Sequence, residues 1–229
     1  MDFNFSSLAD TSFVGSQTQY LKAYNIYEVT LDKIAIETIK GVKDPTTSFQ
    51  VVALEFKVTD KNPGVFNTNL FFPKAVAEDL ERPKFKNDSG HEYERPSRFE
   101  NFKFTLMQIV EVLNPEGANK IKAVASKFKT VEDFVKAIIK VLEGKNNVVT
   151  NLKLVGRTNN GTVYATLPNA CGINKSGEIF PINFLGNNLT FSAYEMTQMK
   201  KLNDAKPTDV ASEVEAKDAG SIDDLLNDI

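Results

Sequence analysis

Residues 48–73, SFQVVALEFKVTDKNPGVFNTNLFFP, decide how the rest of the chain is read. From Ser48 to Asp60 the residues alternate. Val52, Leu54, Phe56 and Val58 fall on one face and Glu55, Lys57 and Thr59 on the other, the period of a half-buried strand. Lys61-Asn62-Pro63-Gly64 is a turn by composition. Val65 to Phe72 then reads as the returning strand of a hairpin. Pro73 ends it, because proline has no N–H to donate to a ladder.

Upstream, residues 20–40 (YLKAYNIYEVTLDKIAIETIK) are rich in β-branched and aromatic residues. They predict one or two strands, with a bulge near Asp32-Lys33. GVKDPTT at 41–47 is a turn. Downstream, Phe102, Leu106, Ile109, Val110 and Leu113 recur at helical spacing, and Asn114-Pro115 interrupts them. Pro115 is placed to open a second helix, to about Phe128. Thr130 followed by Asp133 is a capping-box arrangement for a third, with Gly144 as its stop. Strand patterning returns at 148–156 (VVTNLKLVG) and 162–167 around the Asn159-Asn160-Gly161 turn, then at 179–184 and 189–194. Residues 195–204 read as an exposed helix. The expected class is mainly β with a helical insertion at about 102–143 (α+β), the helices lying between strands 3 and 4 of one closed sheet or barrel. The expected domain is 1–208, followed by a disordered acidic tail at 209–229.

The chain has 229 residues, enough for a substantial core, with 27 basic and 30 acidic side chains. The charge is unevenly placed. Residues 209–229 hold seven acidic residues against Lys217 alone, a net −6, so the other 208 residues carry +3. A mildly basic body therefore precedes an acidic tail, which suits an anionic partner for the one and anion mimicry for the other. No run reaches the roughly 20 apolar residues that a membrane helix needs. MDFNFSSLAD lacks the pattern of a secretory signal, and a single Cys permits no internal disulfide. A reducing cytoplasm is the expected compartment.

Catalytic signatures are absent from the sequence. There is no phosphate loop, dinucleotide fingerprint, nucleophile elbow or HExxH. His91 and Cys171 are the sole residues of their kinds, too few for a His/Cys zinc site. The expectation is a non-enzyme with no cofactor and no metal; a carboxylate-based, magnesium-dependent nuclease is the enzymatic alternative.

Binding single-stranded nucleic acid needs cations along the phosphates and flat rings for unpaired bases. Segment 82–103 interleaves both: Arg82, Lys84, Phe85, Lys86, Tyr93, Arg95, Arg98, Phe99 and Lys103. It also carries Glu81, Glu92, Glu94 and Glu100, so a solvated, salt-bridged loop is the competing reading. The second hairpin adds Lys153, Arg157 and Tyr164. The first adds Lys57, Lys61 and an outward ring, Phe71 or Phe66. In the tail, Ile222, Leu225, Leu226 and Ile229 share one side of a short helix that Ser221 can cap, with Asp223 and Asp224 near its start. A nine-residue helix is marginal alone, so this one is expected to fold against a partner.

The strand-turn-strand at 48–72, Glu-Arg-Pro-Ser at 94–97 leading into helices, LKLVG at 152–156 and the IDDLLNDI ending together resemble the single-stranded DNA-binding proteins of tailed phages. The likeness is one of layout over nearly the whole chain. It departs in the last residue, Ile229, where related tails in bacteria and some phages end in a bulky aromatic. The resemblance implies an OB-like Greek-key barrel that coats exposed DNA cooperatively in replication or recombination. It also implies a tail that recruits polymerase, helicase or primase and fills the DNA groove when DNA is absent. A homo-oligomer is compatible with it. The alternative from another class is a phage structural or adaptor protein that docks through the tail.

Overall fold

The computed structural model describes residues 21–41, 44–59, 64–86, 90–159 and 162–204. Two compact units divide at Leu189/Thr190. The first is built on a five-stranded antiparallel sheet in the order β3-β2-β1-β6-β7. Its strands are β1 (Asn25–Lys40), β2 (Ser48–Val58), β3 (Val65–Phe71), β6 (Thr150–Asn159) and β7 (Thr162–Thr166). β1 is one long strand with two partners. Val29 to Lys40 pair with β2, and Asn25 to Val29 pair with β6. The expected bulge is present: the register with β2 slips between Leu31 and Lys33. The extra residue, Asp32, keeps Leu31 and Ile34 on the same side, opposite Phe56 and Leu54.

Between β3 and β6 come a short helix α1 (Ala77–Leu80), a small hairpin of β4 (Lys84–Lys86) and β5 (Glu92–Glu94), and then α2 (Arg98–Leu113), α3 (Pro115–Ala123) and α4 (Val131–Leu142). The caps follow the sequence. Ser97 Oγ accepts from Glu100 N at 3.1 Å and Ser97 N donates to Glu100 Oε2 at 2.8 Å, closing a capping box on α2. Thr130 and Asp133 do the same for α4. Gly144 follows α4 at φ +72°, a left-handed conformation that glycine adopts without strain.

Phe102, Leu106, Ile109, Val110 and Leu113 of α2 are buried against Val52, Leu54 and Phe56 of the sheet, with Val135 and Ile138 of α4 and Leu152 and Leu154 of β6 completing the core. Truncating one of these, Leu106→Ala for example, costs about 2–5 kcal/mol. Phe66 joins this core, its ring centroid 6.5 Å from that of Phe56, so of the two candidate outward rings only Phe71 faces out. The chain is thus a mixed α+β protein with α1 to α4 inserted between the third and fourth strands of the main sheet.

Three local readings differ from expectation. Within segment 82–103, where a solvated loop was the competing reading, β4 and β5 pair, Phe85 standing opposite Tyr93. Residues 189–194 form no strand; in the second unit Ser192 instead caps α5 (Ala193–Asp204), its Oγ accepting from Glu195 N at 3.2 Å. Residues 179–184 form only a three-residue strand, β9 (Ile179–Pro181), paired with β8 (Cys171–Ile173). The 209–229 tail lies outside the described residues, as do Lys61 and the Asn160-Gly161 turn. Among the described residues no helix is long and apolar enough to cross a membrane.

Candidate nucleic-acid interface

In an antiparallel pair, directly opposed residues point to the same side. Leu152 and Leu154 of β6 point into the core, so Lys153, Val155 and Arg157 point away from it. Tyr164, opposite Arg157, points away too. The same rule puts Lys57, Phe49 and Val51 of β2 on this outer face, together with Phe71 of β3. Five of the expected DNA-binding residues, Lys57, Phe71, Lys153, Arg157 and Tyr164, therefore share one sheet face, the one turned from α2.

That face is not uniformly open. Val51 at its centre is fully buried, and Lys153 is only 3% exposed. Lys153 N donates to Phe184 O at 2.8 Å, which holds residues 184–186 along β6. The accessible ground lies on the two end strands. Phe71 on β3 is 44% exposed and meets Phe49 edge-to-face at 5.8 Å; Tyr164 on β7 is 55% exposed. Arg157 and Tyr164 line a shallow cavity of about 370 Å³ with Thr158, Ala165 and Thr166. Gly156 makes this pairing possible. Tyr24 Cε2 would lie only 2.5 Å from a Cβ at that position, so the core side of β6 is filled by the Tyr24 ring.

Segment 82–103 divides its cations differently. The Arg82 guanidinium grips Glu100 through Nε (3.0 Å to Oε1) and Nη2 (2.9 Å), and Nη1 donates to Gly177 O at 2.9 Å. Burial pushes the Glu100 carboxyl up, but Arg82 and the Ser97 amide outweigh it and hold it below its ordinary value. Arg98 Nη1 donates to Asp79 Oδ1 at 2.7 Å, and Lys74 N donates to the other oxygen at 2.6 Å. Asp79 is 2% exposed. Taking Arg82 or Arg98 to a phosphate would strand a screened carboxylate, which typically costs several kcal/mol where burial is deep. These two arginines brace the start of α2.

The exposed pairs differ in kind. Lys57 meets Asp32 at 2.7 Å and Lys86 meets Glu92 at 3.1 Å, all four side chains well solvated. Such pairs are worth about 0–1 kcal/mol, so a phosphate can replace the carboxylate at little cost. Lys84 stands opposite Glu94 in the hairpin register. Arg95 has no acidic partner among the described residues. Its guanidinium lies 4.3 Å over the Phe85 ring, and Nη2 donates to Tyr93 Oη at 2.9 Å. Phe85 and Tyr93 stack at 5.8 Å and remain over a third exposed. Lys103 stands apart, on α2, with its ammonium 5.5 Å over the Phe99 ring.

The expected site thus separates into an outer-face group and a hairpin group. Arg82 and Arg98 are engaged by Glu100 and Asp79, Lys153 is buried, and Lys61 lies outside the described residues. Two residues that shape these surfaces were missed from sequence. Phe49 has the outward parity of β2 and was legible from the alternation. Gln108 was not: Oε1 accepts from Phe184 N at 2.8 Å and Nε2 donates to Ile182 O at 3.2 Å, fastening residues 182–184 along β6. Its only sequence signal is a polar residue inside an apolar helical run.

Cys171 is 1% exposed, and burial pushes its thiol up to about 11, which keeps it protonated near neutral pH. Among the described residues no three His, Cys, Asp or Glu side chains gather as a metal site. Comparison with family models, curated proteins and solved structures found no match.

Proposed function

We propose that the chain binds single-stranded DNA without catalysis and with little sequence preference. The observation that carries this reading is a solvent-exposed ring set beside an arginine that has no acidic partner among the described residues. The arrangement occurs twice, as Tyr164 with Arg157 and as Phe85 and Tyr93 with Arg95. Rings take the bases by stacking, at about 1–3 kcal/mol each, and the arginines take phosphates. Lys57, Lys84 and Lys86 add cations that can exchange solvated partners for the backbone.

An OB-like barrel is the fold on which this reading makes most sense. Three features support it: the order β3-β2-β1-β6-β7, a first strand shared between two partners, and helices entering between the third and fourth strands. In such a barrel the end strands β3 and β7 are the neighbours that close it, so the exposed rings Phe71 and Tyr164 would flank one surface. The acidic tail, with Ile222, Asp223, Asp224, Leu225, Leu226 and Ile229, would recruit a polymerase, helicase or primase in a replicating or recombining phage genome.

The test is fluorescence anisotropy of labelled oligo-dT titrated with the full chain at two salt concentrations. Affinity should exceed that for duplex of equal length and fall steeply with salt, by about 0.7 of a log unit per phosphate contact per tenfold salt. Salt-independent binding, or none, overturns the reading.

A further inference from the structure

The helical insertion carries a second, unrelated surface. A groove of about 780 Å³ opens between α2, α4 and the segment that bears α1. Its floor is apolar: Phe99, Phe104, Met107, Phe128, Val131 and Phe134. Leu80 on its wall is half exposed, and Phe128 and Phe134 meet edge-to-face at 5.7 Å. Its rim is cationic, with Lys74, Lys103, Lys122 and Lys129. Lys122 is held by Glu111, the one acidic residue in the lining, at 2.6 Å. The other three have no acidic partner among the described residues. A groove of this size fits the side chains of a short peptide, and its charge asks for an occupant that is apolar on one side and acidic on the other.

Residues 221–229, SIDDLLNDI, have that chemistry. Their spacing would put Ile222, Leu225, Leu226 and Ile229 on one side of a helix. Asp223, Asp224 and Asp228 carry all the side-chain charge. We propose that this groove receives residues 221–229 of a second copy of the chain, as an amphipathic helix with its apolar side down and its aspartates toward Lys74, Lys103 and Lys129. Groove and helix are different surfaces, so the contact is heterologous: it can run in rows from copy to copy, or close a pair when two copies exchange tails. Rows suit a protein that lines a strand. That purpose rests on the proposed DNA binding, but the contact itself needs no DNA.

The test is sedimentation velocity of the full chain, without DNA, over a rising concentration series. Association should grow with concentration and weaken with salt. It should be lost both in a tail variant, Leu225→Asp with Leu226→Asp, and in a rim variant, Lys74→Glu with Lys129→Glu. Neither substitution touches the core, and circular dichroism checks the fold of each. Mixed in equal amounts, the two variants should form a one-to-one pair, since one keeps the groove and the other keeps the helix. A labelled peptide of residues 209–229 should bind the tail variant at least tenfold more tightly than the rim variant. A chain that stays monomeric throughout overturns the proposal. So does association that survives both variants, or a monomer that binds the peptide only once its tail is altered, which would mean docking within one chain. Association without oligo-dT binding leaves this contact standing and removes the DNA reading.

Discussion

The β4–β5 region and the β6–β7 hairpin carry the same residue types and spend them differently. Around β4–β5, four glutamates lie among the cations. Arg82 is gripped by Glu100, Arg98 by the buried Asp79, and Lys86 by Glu92, which leaves Arg95 on its two rings. In the described part of β6–β7 there is no acidic residue, and Arg157 stands beside Tyr164 with no carboxylate to meet. Density of positive charge along a sequence therefore does not measure what a ligand finds. The carboxylates nearby, and how deeply they are buried, decide whether an arginine is a brace or a binding group.

The sharpest test separates brace from binder. Asp79→Ala removes the acceptor of both Arg98 and the Lys74 amide. Losing a buried acceptor should cost about 1–3 kcal/mol, which lowers Tm by roughly 2–4 °C per kcal/mol for a domain of this size. Oligo-dT affinity of the folded variant should hold. A calorimetric scan and an anisotropy titration read the two quantities; an unchanged Tm with weakened DNA binding would break the comparison.

The converse variant is Tyr164→Ala. Loss of one stacking platform should weaken oligo-dT by about tenfold, within the roughly 1–3 kcal/mol expected per base, and leave Tm unchanged. An unaltered affinity would remove β7 from the interface.

Next come matched arginines. Arg157→Gln should lower the slope of log affinity against log salt by about 0.7, one phosphate's share on a single strand. Arg82→Gln should leave the slope alone and lower stability instead. Equal slopes in both variants would show that pairing with Glu100 does not withhold an arginine from DNA.

The smallest effect is one of pH. Glu100 has a folded value held below its ordinary 4.5 by Arg82 and the Ser97 amide, against the opposing push of burial. Its stabilisation is present above the unfolded value and is lost as pH falls through the lowered folded one. Urea melts between about pH 3 and 6 should therefore show a shallower acid-side decline for Glu100→Gln. An identical decline would mean that Arg82 and the capping box do not bias this carboxyl.

How much of this was legible without coordinates follows from the range of the forces. The alternation at 48–58 fixed which side of β2 is buried, and the surplus residue near Asp32 announced the bulge. Thr130 with Asp133 announced a helix start. All three depend on neighbours within four residues. The braces were not legible. Arg82 meets a glutamate 18 residues away and Arg98 an aspartate 19 residues away. Gln108 closes on residues more than 70 positions on. Lys153 lies in a strand whose alternation points it outward, yet it is buried.

Local pattern was enough for the five strands of the main sheet, for α2 to α4 with the capping pair of α4, and for a basic, ring-bearing body ahead of an acidic end. These follow from backbone geometry and from side chains a few positions apart. Which cations are committed and which are open came from long-range packing, as did the apolar groove with a lysine rim that the helices line. Coulombic and packing partners are chosen by proximity in space, and the chain brings together residues whose separation in sequence carries no trace of that choice.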